Sequence, residues 1–284
     1  MKKEFQMAYK SIRLANIPIP NSAFDFAVLT INRPDFANAF NGELMHEITQ
    51  AITDLANSKN TRGLIIKAEG KHFSAGADLN WMKEAKNLSQ QENKIESNKL
   101  TKMFDAISQA KFPTVSLVNG ATYGGAVGIV ACCDVSIGFD TARFCLSEVK
   151  IGLLPAVILP YLKRRMLPHR LNRYAITANV FSAKEALEAG LLDFVGTPSE
   201  CEKTLQEQLN LILAASPSAQ AAFKKLNFDL EASITEKSEV AVSAIANART
   251  SNEGQSGLQA FFDKKPAPWV TSLDEATIQE IFKA

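Results

Sequence analysis

A chain of 284 residues that is 46% apolar and 21% charged, with a formal net charge of +1, has an ordinary globular composition, enough for one large domain or one domain with an appendage. The near-zero balance argues against a nucleic-acid partner, which needs a concentrated basic face, and no apolar run approaches the roughly 18–20 residues that span a bilayer. The four cysteines and three histidines match neither a disulfide framework nor a metal site, so buried free thiols and no metal are expected.

The opening "MKKEFQMAYKSIRLANIP" has two lysines but no apolar core segment or small-residue cleavage site, and reads as a plain cytoplasmic start. "FDFAVLTINRP" reads as a strand stopped by Pro34. "NAFNGELMHEITQAITDLANS" places Leu44, Ile48, Ile52 and Leu55 at helical spacing. "RGLIIKAEG" is a second strand closed by Gly70. After "KHFSAGADL" comes a polar helical region to about Asn98, then "LTKMFDAISQA" as a separate helix. "FPTVSLVNG" is a third strand, leading into the turn "ATYGG" and an uncharged helix; "CDVSIGF" and "ARFCLSE" are two more strands, the second ending at Glu148. "FSAKEALEAGLLDFVG" is a helix with Ser182 as N-cap, Glu185 completing a capping box and Gly190 at its end, followed by a short strand. Beyond Pro198 the pattern is almost wholly helical, which divides the chain into a core over 1–197 and a C-terminal helical region over 198–284.

Alternating strands and helices predict an α/β core with parallel pairing. In such cores ligands sit beyond the carboxyl ends of strands, where "HFSAGAD" and "TYGGAV" both fall. Two convergent backbone amides form an oxyanion hole, and Ala77 and Gly125 stand at matching places in these turns. Both segments can also be tight loops and nothing more. "GGAVG" lacks the lysine of a P-loop and the full G-x-G-x-x-G pattern, and without a G-x-S-x-G elbow Ser74 and Ser147 read as structural hydroxyls. Glu148, with apolar neighbours, is either a carboxylate of raised pKa able to shuttle a proton or a surface group paired with Lys150. Asp78 reads as a cap for the first turn and Asp134 as a structural hydrogen-bonder.

Four ordered motifs, "HFSAGADLNWM", "VNGATYGGAVGIVACCDVSIG", "ARFCLSEVKIGLLPAV" and "FSAKEALEAGLLDFV", resemble the enoyl-CoA hydratase/isomerase (crotonase) superfamily over roughly residues 20 to 200. The closing "GLQAFFDKKPAPW" is similar to the family's C-terminal ending. Within the family, "FSAGADLNWM" and "CLSEVKIGLLPAV" look most like bacterial methylglutaconyl-CoA hydratases of leucine catabolism. The resemblance implies a crotonase-like spiral of β-β-α units with a C-terminal helical region, assembled as homotrimers or homohexamers. It implies a lyase acting on an acyl-CoA, with no cofactor beyond the coenzyme A of its substrate. It carries the oxyanion amides onto Ala77 and Gly125 and the acid/base role onto Glu148. Substrate and CoA contacts are implied at Ser74, Ala75, Gly76, Asp78, Leu79, Gly124, Gly128 and Ala156, with a phosphate contact at Lys264 or Lys265.

The chain departs from the family pattern twice. Hydratases of the family commonly use two glutamates; the second aligns with Glu148, the first with Gly128. Three readings follow: a hydratase in which Glu148 activates water alone, with Tyr123 as a neighbouring candidate; a Δ3-Δ2 enoyl-CoA isomerase using the single Glu148; or a non-catalytic acyl-CoA binder. The second departure is "PAVILP", Pro155 to Pro160, where hydratases usually have a glycine-rich loop, so Ala156, Val157 and Ile158 should reshape the acyl pocket. Lys163, Arg164 and Arg165 beyond it are either a solvated basic face or contacts for a phosphate or a distal carboxylate. Trp81 and Met82 either line the acyl channel or pack in the core.

Overall fold

The structure is a computed structural model that describes residues 9–85, 88–232 and 252–284. Residues 1–8, 86–87 and 233–251 lie outside it, and with them the chain start and part of the helical expectation beyond Pro198.

Six strands form the main sheet in the order β1 (Ile12–Pro18), β2 (Asp25–Ile31), β3 (Thr61–Ala68), β4 (Thr114–Val118), β6 (Val135–Phe139) and β9 (Phe194–Gly196). The β1–β2 pair is antiparallel and all others are parallel. A parallel sheet must be covered on both faces, and alternate residues of each strand meet these demands. Ala27, Leu29, Ile31, Leu64, Ile66 and Val118 enter one apolar cluster with α1 (Gly42–Asn57), α3 (Gln90–Ser108) and α4 (Gly125–Cys132). Phe26, Val28, Ile65, Val115 and Leu117 enter the other, capped by Cys201, Leu205, Leu209 and Leu213 of α8 (Pro198–Ala214) and Ile278 and Ile281 of α11 (Glu275–Lys283). The helices beyond Pro198 thus supply the cover for one face of the sheet.

A second sheet, of β5 (Ala121–Tyr123), β7 (Arg143–Cys145) and β8 (Phe181–Ser182), stands at the carboxyl end of the first. β5 pairs with β7 in parallel and β7 with β8 antiparallel. Neither β1 nor β5 is expected from the sequence: β1 has too little apolar alternation, and β5 is three residues long. The polar stretch after Ala77 also divides differently. Its helices are α2 (Leu79–Ala85) and α3, and α3 runs unbroken through Asn98 because Ser89 and Glu92 form a capping box further upstream. α7 (Ala183–Glu188) has the expected box, with Glu185 N–H donating to Ser182 and Ser182 N–H to Glu185. The remaining helices are α5 (Leu159–Arg165), α6 (Pro168–Thr177), α9 (Pro217–Ala232) and α10 (Asn252–Phe262).

One buried charge ties the C-terminal helices to the sheet. Arg62 of β3, 3% exposed, donates to the carbonyls of Ile212 and Ala215 and to Gln220 Oε1 at the α8–α9 junction. Burial lowers its pKa to about 10, opposed by nearby Glu253, so it stays charged at neutral pH. Arg62→Met keeps the stem but strips two carbonyls and an amide of their donor. At about 1–3 kcal/mol for a buried polar group left unpaired, a loss of roughly 2–3 kcal/mol is expected, read as a melting temperature lower by roughly 5–10 °C.

Candidate active site

The segments after β3 and β4 lie side by side. Phe73 N–H donates to Asn119 O at 2.8 Å, Ser74 N–H to Ala121 O at 3.0 Å, and Tyr123 N–H to Ser74 O at 3.0 Å, a short parallel ladder with a bridge between Ser74 and Thr122. Each segment then turns away. The first turns at Gly76, whose φ of +96° only glycine adopts freely and where a Cβ would stand 3.2 Å from Tyr123 O. Phe40 holds this turn from the other side: Phe40 N–H donates to Gly76 O at 2.7 Å and Asp78 N–H to Phe40 O at 2.9 Å. The second turns at Gly124 (φ +53°), whose N–H donates to Cys145 O at 2.9 Å.

Between these fixed points, Ala77 N–H and Gly125 N–H make no hydrogen bond within the described residues. Gly125 is the first residue of α4, so its N–H also carries the positive end of that helix dipole. The turns are in contact, since a Cβ on Gly124 would lie 4.0 Å from Gly76 Cα. Two unpaired amides at adjoining turns form a surface suited to an anionic oxygen.

Glu148 sits against this surface. It opens a 3₁₀ turn over 148–151 and does not end the strand, because β7 stops at Cys145. Its Oε1 would lie 3.4 Å from a Cβ on Gly124. Its Oε2 is buried with no hydrogen-bond partner, and the pair with Lys150 weighed from the sequence is not formed. Burial pushes its carboxyl above the ordinary range, offset only in part by its own backbone N–H.

Asp78 is the opposite case. Burial acts to raise its pKa, but hydrogen bonds from Asn80 N–H, the Arg33 guanidinium and Trp81 N–H outweigh it and hold the carboxyl low. Arg33 Nη2 lies 3.1 Å from Asp78 Oδ2, and Arg33 also donates to Ala39 O, locking the loop after β2 against the first turn. Asp78 is therefore the cap and brace of α2, through Asn80 N–H at 2.9 Å.

The other sequence candidates divide. Ser74 is fully buried and accepts from Gly76 N–H, while Ala75 and Leu79 are exposed at the mouth of the first turn. Tyr123 is tied in through its backbone. Trp81 lines a cleft of about 560 Å³ beside the turn, together with Arg33, Asp78, Leu88, Glu96 and Lys99. Asp134 is structural: its Oδ2 accepts from Thr114 N–H and from Lys224 at 2.5 Å. Arg165 is structural too, bound to Asp193 and to the carbonyls of Cys133 and Asp134, which removes it as a phosphate or carboxylate contact. Lys163 and Ala156 are exposed, as are Lys264 and Lys265 beyond α10.

Gly128, a substrate contact by the resemblance, faces the core. It is buried one turn into α4, and a Cβ there would lie 2.5 Å from Ile158 Cγ2 and 2.9 Å from the ring of Phe104. Both neighbours are buried, and Phe104 packs against Tyr161, whose phenol donates to Asp105 at 2.8 Å. The space a second carboxylate would need is filled. Phe40 and Phe104 escape sequence reasoning because each reads as an ordinary apolar residue at a helical or loop position. Only the Cβ-free surfaces of Gly125 and Gly128 hint at close neighbours.

A family model described as enoyl-CoA hydratase/isomerase matches residues 24–272. The chain belongs to the enoyl-CoA hydratase/isomerase family. It is 30% identical to a crotonyl-CoA hydratase of Syntrophomonas wolfei, across 93% of this chain and all of that one. It is also 30% identical to a trans-2-decenoyl-[acyl-carrier-protein] isomerase of Streptococcus mutans, across 84% and 92%. The structure superposes on an enoyl-CoA hydratase from Shewanella pealeana with a TM-score of 0.85 and 34% identity, covering 92% of this chain and 97% of that one. This family is one of enzymes, and its hydratases are lyases. No helix among the described residues is long and apolar enough to cross a membrane.

Two outcomes follow from this geometry. The folded protein binds the Glu148 proton more tightly than the unfolded chain, so stability from this group is present at low pH and lost as pH rises through the folded-state value. Glu148→Gln is therefore expected to raise the melting temperature at neutral pH, with the difference vanishing below about pH 4, under the ordinary glutamate value. Gly128→Ala should gain up to about 1 kcal/mol in helix propensity yet destabilise the protein by about 1–3 kcal/mol through overpacking. A double-mutant cycle with Ile158→Ala, followed by thermal unfolding, is expected to recover much of that loss.

Proposed function

We propose that this enzyme hydrates a 2-enoyl-CoA thioester, with the Ala77 and Gly125 amides holding the thioester oxygen and Glu148 moving the proton. The observation that carries this reading is the buried, unpartnered Oε2 of half-buried Glu148, whose carboxyl lies beside the glycine turn that presents one of two unpaired amides. The Glu148 carboxylate takes a proton from water as its oxygen bonds to Cβ. The displaced π electrons move onto the thioester oxygen, where the two amides stabilise the enolate, each worth on the order of 10²–10³ in rate. The protonated Glu148 then delivers its proton to Cα and the thioester is restored. Desolvation suits the residue to both halves of this cycle, because a raised pKa narrows the gap between its acid and base forms near neutral pH.

The substrate we propose is a branched 2-enoyl-CoA of the 3-methylglutaconyl type, on the strength of the "FSAGADLNWM" and "CLSEVKIGLLPAV" resemblance. The hydratase names of the Syntrophomonas and Shewanella relatives support hydration. We also propose a trimer or a dimer of trimers working without an added cofactor. The exposed Ile151, Leu153, Leu154, Ile176 and Val180 offer apolar surface for such assembly.

A second reading rests on the wall behind Gly128. With no room for a second water-holding carboxylate, Glu148 can instead take a proton from Cα of a 3-enoyl-CoA and return it at Cγ, giving the 2-enoyl isomer. The isomerase name of the Streptococcus relative favours it. Offering 2-enoyl- and 3-enoyl-CoA separately and weighing the products decides: hydration adds the mass of one water and isomerisation adds nothing. Glu148→Gln is expected to lower the productive reaction roughly 10²–10⁴-fold. Near-normal turnover by the variant removes Glu148 from the mechanism, and a protein that binds CoA in calorimetry but converts neither substrate is a non-catalytic binder.

A further inference from the structure

The ladder joining the two turns is irregular at its upstream end, where Phe73 N–H and not His72 N–H donates to Asn119 O. A parallel pairing in which Ser74 receives Tyr123 N–H calls for the carbonyl of residue 72 to receive Ala121 N–H, two residues earlier on each strand. That carbonyl accepts from a side chain instead. Asn38, itself buried, donates its side-chain amide to His72 O at 2.7 Å and to Glu69 O at 2.8 Å. The Ala121 N–H goes instead to the His72 side chain, at 3.1 Å from Nδ1. The strands are too close here for anything else to enter: Gly120 has φ +54°, and a Cβ on it would lie 2.0 Å from Lys71 O and 3.0 Å from His72 Nδ1.

We propose that His72 is a positioning residue, its Nδ1 substituting for a backbone carbonyl to set the separation of the Ala77 and Gly125 amides. The inference rests on the oxyanion reading of those amides. His72 lies five residues before Ala77, and Ala121 four residues before Gly125, on the two segments that the ladder joins. Between the rung and the amides, Ser74 and Tyr123 transmit the spacing through Tyr123 N–H and Ser74 O. The imidazole has to present the Nδ1 lone pair, so the working form carries its ring proton on Nε2. A backbone amide has no rotamer with which to recover from a shifted chain, so a small opening of the seam moves an oxyanion donor directly.

The test uses the whole enzyme with acetoacetyl-CoA, whose enolate absorbs in the near ultraviolet when held by an oxyanion site, and free CoA as a control ligand. Asparagine places an acceptor where Nδ1 stood and glutamine places one where Nε2 stood. His72→Ala and His72→Gln are expected to weaken enolate formation and lower kcat by roughly 10–100-fold, with CoA affinity and KM little changed. His72→Asn is expected to restore both to within a few-fold. If His72→Ala matches the wild type, or if His72→Asn is as impaired as His72→Gln, the positioning role is overturned. Where the alanine variant does not fold, the asparagine and glutamine pair decides alone. If the wild-type enzyme gives no enolate signal and Gly125→Pro binds acetoacetyl-CoA as the wild type does, the oxyanion reading itself fails, and this proposal with it.

Discussion

In the proposed function two peptide N–H groups from different loops must point at one place, and a peptide group can be aimed only by placing its backbone. Everything around the site serves that constraint. The seam between 73–76 and 119–125 is a ladder of backbone hydrogen bonds whose members approach so closely that Gly76, Gly120 and Gly124 each take a positive φ. Phe40 on one side and Cys145 on the other spend their backbone groups holding these turns, which leaves the Ala77 and Gly125 N–H groups unpaired. Ala77 is exposed and Gly125 half-buried, so under the proposed reading both amides are free to meet a negative oxygen.

The two acidic groups near the seam show the same economy in opposite senses. Asp78 is saturated by Arg33, Asn80 and Trp81, so it is held ionised and serves as a brace. Glu148 is left with a buried oxygen that nothing satisfies, so its charged form is disfavoured and its pKa is raised. This contrast is the ground on which the proposed function takes Glu148, and not Asp78, as its acid and base. The α4 helix adds to this by bringing its positive end, and no side-chain charge, to the turn.

Gly128 gains its meaning from what surrounds it. In the sequence it is a poor helix residue standing where the family resemblance implies a glutamate. In the folded protein it is the gap into which Ile158 and Phe104 pack, so the loop "PAVILP" and the absent carboxylate are one feature. The two departures from the family pattern are thereby coupled: a side chain at 128 and a branched residue at 158 exclude each other. The core packing leaves no space for a carboxylate at 128, since both neighbours are buried and have nowhere to retreat.

By itself the sequence determined the strand–helix alternation, the capping box of Ser182 and Glu185, the two glycine turns after strands, and Glu148 as the acid to consider. Those signals are local: periodicity, caps and turn residues act over a few positions, so they can be read in order along the chain. Their limits are local too, for β5 is too short to show a period, and Glu148 reads as a strand end because the bend after Cys145 has no sequence mark. Only the tertiary structure decided that Glu148 is unpartnered, that Arg165 is taken up by Asp193, that Gly128 faces Ile158 and Phe104, and that His72 receives Ala121 N–H. Each of these joins residues far apart in the chain, and burial and hydrogen-bond partnership exist only once the distant segments have been packed together.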